Sequence, residues 1–283
     1  MKRHCTVLVF FISALLVFST HASADAFRAE ILPSEISPGE AFIIKVTGAK
    51  TSQLPSASLT GKQFFFSGCG EGCFIAIGAV GMETKPGVYT ITLRVREKKN
   101  NLNLVVKRTS FPTLRLTLPE DKVFLSPKNL RRVKREDKRL KSICQIVSDR
   151  LWEGSFILPL ENGISTVYGT RRIINNKKIS AHRGVDINGQ AGEEVKASNS
   201  GRVVLTEDLF FGGNTIILAH GQGIYTIYMH LSKFNVRPQD IVSKGDIIGF
   251  VGSSGRSSGP HLHFGVKVLN INVNPVSFVK LNL

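Results

Sequence analysis

From about Phe27 to Leu118 the chain alternates apolar and polar positions with a period of two. Phe42, Ile44 and Val46 alternate with polar or dissimilar neighbours. Tyr89, Ile91, Leu93 and Val95 alternate with Thr90, Thr92 and Arg94, and Leu114, Leu116 and Leu118 alternate with Arg115 and Thr117. Successive side chains of a strand point to opposite faces, so this pattern predicts half-buried antiparallel strands. Turn sequences such as Ser37-Pro38-Gly39 and Lys85-Pro86-Gly87 separate the runs.

Many short alternating strands with regular turns predict a small β-sandwich of immunoglobulin-like type over 25–120. No catalytic constellation falls within it, which leaves it a positioning or binding role. The period then changes. Between Ser126 and Gly154, Leu130, Val133, Leu140, Ile143 and Val147 recur at roughly helical spacing, and Ser126 before Pro127 forms an N-cap with a first-turn proline. This predicts a helical linker over 121–154. Its other face carries Lys128, Arg131, Arg132, Lys134, Arg135, Lys138, Arg139 and Lys141, either as a solvated face or as a surface that meets an anionic envelope polymer.

The first residues change the compartment in which the rest is read. Met1-Lys2-Arg3, the apolar run from Thr6 to Ser19 and the A-x-A spacing of Ala22-Ser23-Ala24 form a secretory signal peptide over 1–24. The run is short for a bilayer span, so no stable membrane anchor is expected. Export places the protein in a periplasm or outside the cell. A net charge of +16 favours an anionic partner, and export makes nucleic acid the least suitable one. In "SGCGEGCF" the glycines let the chain turn back, which predicts a Cys69–Cys73 disulfide. The alternative, a metal clip, lacks a nearby histidine or second cysteine pair. Cys144, on the apolar side of the helix, reads as a buried thiol.

Histidine concentrates in the second half, with His182, His220, His230, His261 and His263 all in the region 155–283. His182-x-x-x-Asp186 places two ligand-type residues at i and i+4, and Gly184, Val185 and Ile187 favour a strand there. His182, Asp186 and one member of the pair in His261-Leu262-His263 make a three-ligand zinc set with a fourth position open for water. The helical H-E-x-x-H signature is absent, so the proton acceptor beside such a centre falls to His230 and the remaining imidazole of the H-x-H pair.

The segments "FILPLENGISTVYGTRR", "HRGVDINGQAGEEVKASNSGRVV", "GGNTIILAHGQGIYTIYMHLS", "VSKGDIIGFVGSSGRSSGPHLHFGV" and "NVNPVSF" resemble, in order and spacing, the catalytic domain of the lysostaphin-type zinc endopeptidases. The resemblance runs from about Phe156 to Phe278. It implies a mainly antiparallel β catalytic domain over 155–283, with Zn2+ held by His182, Asp186 and His263 and with His230 and His261 as catalytic histidines. It implies peptidoglycan peptides, either stem peptides or cross-bridges, as substrate. His220 matches a family histidine and is expected to serve the scaffold. Tyr228 is expected either to donate a hydrogen bond near His230 or to pack, and "GSSGRSSG" to form a groove wall. Gly265 stands where many members carry an acidic residue, and Tyr168 where the family usually has phenylalanine.

"VSKGDIIGFVGSSG" also resembles the hairpin of biotinyl and lipoyl carrier domains, but no tight turn presents a lysine and a carrier needs no such histidines. A non-catalytic peptidoglycan-binding regulator is the other alternative, and such relatives lose metal ligands that are all present here. The overall expectation is a mainly β, monomeric, exported zinc endopeptidase associated with the cell wall. Which peptide bond it cuts has no readable code in the chain.

Overall fold

The computed structural model describes residues 27–117, 125–176 and 178–283. The signal peptide expected over 1–24 and the expected junction at 120/121 lie outside the described residues. Among the described residues no helix is long and apolar enough to cross a membrane.

The N-terminal part comprises β1 (Arg28–Leu32), β2 (Glu35–Ile36), β3 (Ala41–Thr47), β4 (Ser56–Leu59), β5 (Lys62–Phe64), β6 (Ser67–Gly70), β7 (Cys73–Ala79), β8 (Gly87–Val95) and β9 (Lys98–Val106). They form two sheets, ordered β1-β3-β7-β6 and β2-β9-β8-β4-β5. Phe42, Ile44, Val46, Phe74 and Ala76 from the first sheet meet Ala57, Ile91, Leu93 and Leu104 from the second in one core. The Cys69–Cys73 disulfide closes the turn between β6 and β7.

Ala41, Ile43, Ile75, Ile77 and Ala79, on the other face of β3 and β7, are also buried, in the core of the C-terminal part. These two strands are therefore covered on both sides, and their near-continuous apolar sequence follows from that. Tyr168 hydroxyl donating to Asn272 carbonyl (2.9 Å) and Asn274 N–H donating to Gly39 carbonyl (2.7 Å) flank this contact. The hydroxyl that distinguishes Tyr168 from phenylalanine thus has a partner, and burial pushes its pKa up to about 12.

β10 (Thr113–Leu116) joins β12 (Arg171–Ile174) and β13 (Lys178–Ala181) in a separate sheet, and α1 (Pro127–Ile143) follows β10 in the chain. Ser126 Oγ accepts from Asn129 N–H at the N-terminus of α1, as the capping sequence predicts. The helix ends eleven residues short of Gly154. Beyond it, Gln222 N–H donates to Ser148 carbonyl and Leu151 N–H to His220 carbonyl, so backbone pairing with the sheet claims the segment that holds Val147.

The large sheet contains β11 (Ile164–Thr166), β14 (Val185–Asn188), β15 (Glu194–Lys196), β16 (Gly201–Leu209), β17 (Gly213–Gly221), β18 (Ile224–Phe234), β19 (Ile241–Val242), β20 (Ile247–Val251), β21 (His261–Val268) and β22 (Ile271–Val273). Its main order is β11-β14-β21-β18-β17-β16-β19, and α2 (Pro275–Val279) closes the described chain. One face buries Val185, Ile187, Ile216, Leu218, Tyr228, Leu262, Phe264 and Val266. On the other face Ile217, Tyr225 and Ile227 contact Leu140, Ile143 and Cys144 at the end of α1. Pairing of Met229 with His263, Ile227 with Gly265 and Tyr225 with Lys267 shows that this second face also carries His263. The helix and the imidazole share one side of the sheet.

Candidate metal centre

Antiparallel pairing of β14 with β21 sets Asp186 directly opposite His263 and Asn188 opposite His261. Residues paired in this way have their Cβ atoms about 5 Å apart, so the facing side chains meet. His182 lies just past β13 rather than within a strand with Asp186, as the i, i+4 spacing had suggested. It is fixed by its own N–H donating to Thr170 carbonyl and by Gly169 N–H donating to its carbonyl, both 2.9 Å. Gly184 makes the crossing between His182 and Asp186 feasible, because a Cβ there would stand 2.5 Å from Phe264 carbonyl oxygen and 2.7 Å from His263 Nε2.

Three ligand-type atoms converge as a result. His182 Nε2 lies 2.9 Å from Asp186 Oδ1 and 2.9 Å from His263 Nδ1, which lies 2.8 Å from the same oxygen. Among the described residues this is the group able to hold a metal ion. Two imidazole nitrogens and one carboxylate oxygen around one point match the donor set of a zinc site that leaves a fourth position open. His182 Nδ1 donates to Val167 carbonyl at 3.1 Å, which fixes the tautomer with Nε2 free to ligate. Burial opposes ionisation of Asp186, but the close His182 and His263 imidazoles outweigh it and hold the carboxyl well below the usual range. Burial also lowers the pKa of His263.

Arg172 on β12 donates to Asp186 Oδ2 at 3.0 Å, leaving Oδ1 to the cluster. No spacing rule pointed to this arginine, because β12 reaches the site through a hairpin whose register the sequence does not display.

His230 and His261 stand beside the cluster with their rings 4.8 Å apart, and the His230 ring is 6.2 Å from that of His263. His230 Nδ1 donates to Ser254 carbonyl (2.8 Å) and His261 Nδ1 to Gly259 carbonyl (2.9 Å). The 252–260 loop thus fixes both tautomers and leaves both Nε2 atoms without a partner from that loop. His261 Nε2 is 3.9 Å from Asp186 Oδ1, so it faces the cluster. Burial pushes the pKa of His230 down to about 4, which keeps it neutral near pH 7. Glycines lock this loop in place: Gly213 and Gly255 approach so closely that a Cβ on Gly255 would lie 2.2 Å from Gly213 N.

Two other singled-out residues belong to the scaffold. His220 is fully buried, with Nδ1 donating to Ser200 carbonyl (2.8 Å) and Nε2 2.7 Å from Thr226 Oγ1. Tyr228 does not share the face of His230. It lies in the core, its hydroxyl accepting from Ser198 N–H (2.9 Å), because the positive φ of His230 (66°) and a register shift in β18 break the alternation. At Gly265 an added Cβ would meet only ordinary contacts, so packing does not demand glycine there.

Residues 180–275 match Peptidase family M23. DD-carboxypeptidase/endopeptidase Mpg of Neisseria meningitidis is 42% identical over 96 residues, which are 34% of this chain and 22% of that protein. Peptidoglycan DD-endopeptidase ShyA of Vibrio cholerae is 36% identical over 121 residues, 42% of this chain and 27% of that protein. Lysostaphin of Staphylococcus simulans is 47% identical over 85 residues, 29% of this chain and 17% of that protein. The chain therefore spans about a quarter or less of these relatives. A crystal structure of a putative peptidase M23 from Pseudomonas aeruginosa superimposes with a TM-score of 0.69 at 26% identity, over 86% of this chain and 94% of that one.

Proposed function

With a peptidase family M23 domain over residues 180–275 as its catalytic part, we propose that the protein is an exported zinc-dependent endopeptidase that hydrolyses peptide cross-links or bridges of bacterial peptidoglycan. The observation that carries this reading is the convergence of His182, Asp186 and His263 on one point with two tautomer-fixed imidazoles alongside. The names of the relatives, which act on peptidoglycan or glycyl-glycine bonds, agree with it.

His182 Nε2, Asp186 Oδ1 and His263 Nδ1 would hold zinc, which when bound supplies a Lewis acid and an activated water. His230 and His261 manage protons: each presents Nε2 toward the reacting carbonyl, and the neutral state of His230 lets it accept a proton near pH 7. Once protonated, either imidazole stabilises negative charge developing on the carbonyl oxygen. Arg172 restrains Asp186 so that one oxygen remains directed at the centre.

The strand orders β1-β3-β7-β6 and β2-β9-β8-β4-β5, with β2 parallel to β9, support reading the N-terminal sheets as an immunoglobulin-like sandwich that positions the catalytic domain. We read the domain limits as 25–120, 121–154 and 155–283. The basic linker would hold an anionic envelope polymer. The protein acts as a monomer in the periplasm or outside the cell. A non-catalytic regulator would need none of the five groups assembled here.

Digestion of purified sacculi by the mature protein, with fragments identified by mass spectrometry, tests the reading. Soluble fragments that disappear with a chelator and return with zinc are expected. Sacculi left intact by protein carrying one zinc per chain would contradict it.

A further inference from the structure

Two of the three ligand-type residues take their places from backbone that precedes the ligand motifs. Val167 carbonyl accepts from His182 Nδ1 (3.1 Å), and two backbone hydrogen bonds of 2.9 Å join Gly169 and Thr170 to His182. A few residues on, β12 brings Arg172 to Asp186 Oδ2 at 3.0 Å. The cluster therefore depends on what holds residues 167–174.

Alone, β12 and β13 would make a two-stranded ribbon with Asn175 and Asn176 at positive φ in its turn, and such a ribbon is marginal in water. β10 supplies a third strand, its residues 113–116 running parallel to 171–174. Arg171 N–H donates to Pro112 carbonyl (2.8 Å), and Arg115 Nη1 donates to Asn176 Oδ1 (3.2 Å) at the far end of the ribbon. Just before β10, the half-buried ring of Phe111 lies against Gly169, where a Cβ would stand 2.0 Å from Phe111 Cδ1 and where φ is +84°. Glycine there admits both the ring and the left-handed backbone. The same ring meets Tyr168 edge to face, with centroids 6.3 Å apart.

Alternation places residues 113–116 among the sandwich strands, yet β10 joins neither sandwich sheet. Nor is it needed to tie the sandwich to the catalytic part. Arg150 Nη1 donates to Ser67 Oγ (3.3 Å) and Gly68 carbonyl (3.2 Å), and Gln222 Nε2 donates to Phe65 carbonyl (3.0 Å), independently of it.

We infer that Phe111 is a positioning residue for the candidate metal centre, seating residues 167–170 behind His182, and that β10 braces the ribbon that brings Arg172 to Asp186. Both lie in the chain before the basic helix and before the family match at 180–275. The inference rests on the zinc set of the peptidase reading and extends its support beyond the catalytic part.

The test measures zinc release to a chromogenic chelator and the visible absorption of the cobalt-substituted protein, both in the full chain. Loss of the support behind a metal-ligating histidine weakens metal binding by about ten- to a hundredfold, so Phe111→Ala should release zinc faster by about that factor and alter the cobalt spectrum. Phe111→Tyr keeps the ring and should restore both, while Phe111→Leu, a smaller change than alanine, should fall between. Arg150→Gln loosens the sandwich contact without touching residues 167–182 and should match wild type. Unchanged zinc release and cobalt absorption in Phe111→Ala, or the same acceleration in Arg150→Gln, overturns the inference and leaves the peptidase reading standing. Phe111-dependent zinc retention in a protein that leaves sacculi intact supports the inference and removes the peptidase reading. Wild-type protein that takes up no zinc overturns both.

Discussion

His220 shows how a histidine in a peptidase domain can serve the fold alone. Burial pushes its pKa from 6.5 down to about 4, so between those values the unfolded chain takes up a proton that the folded chain refuses. The stability it contributes is complete above pH 6.5 and falls as pH drops toward 4, by about 3 kcal/mol in all. Denaturant unfolding of wild type and His220→Gln across pH 4–7 measures this, and the variant should show a shallower decline. Parallel curves would mean that His220 titrates normally. At this scale the sequence was legible where spacing encodes contact: His261-x-His263 on one strand, and Asp186 reaching His263 across a pair. It was not legible at Tyr228, because nothing in "IYTIYMHLS" announces that His230 adopts a left-handed backbone. Nor was it legible at Arg172, whose approach depends on the β12–β13 hairpin.

The helix α1 is both a docked element and a charged surface. Arg132 donates to Asp208 (3.0 Å) and pairs with Glu136 (2.6 Å), Arg139 pairs with Glu207, and Glu136 accepts from Phe210 N–H (2.9 Å). These contacts orient the helix on the sheet and hold the loop that carries Phe211. Arg131, Lys134, Arg135 and Lys138 are exposed and make no ion pair among the described residues. Binding of the His230→Ala protein to sacculi should therefore weaken as salt rises, since exposed charges are screened over about 10 Å at 0.1 M. Changing those four residues to Gln should weaken it at low salt. Salt-indifferent binding, unaltered by the four changes, would leave the helix a connector only. The capped start of α1 was readable from Ser126 and Pro127, whereas its end was not, because tertiary backbone pairing with β17 and its turn overrides periodicity. The same limit applies to β3 and β7: alternation identified Phe42, Ile44 and Val46, while burial of Ile43 and Ile77 depends on a partner surface more than a hundred residues away.

The candidate metal centre draws on three separate segments, the end of β13, β14 and β21, and the two imidazoles proposed to handle protons lie on β18 and β21. Only the folded sheet brings these five residues together, yet each lies in a motif that is legible in the sequence, because each motif is local even though the cluster is not. The central claim divides these residues into two roles, and zinc content measured beside turnover on sacculi in single variants tests that division most directly. His182→Ala, Asp186→Ala and His263→Ala should each lose zinc on mild dialysis, and activity with it, since three protein ligands leave none to spare. His230→Ala and His261→Ala should keep about one zinc per chain while turnover falls by about 10²- to 10⁴-fold. Wild-type protein without stoichiometric zinc, or a His261→Ala protein that loses zinc while His263→Ala keeps it, would contradict the account.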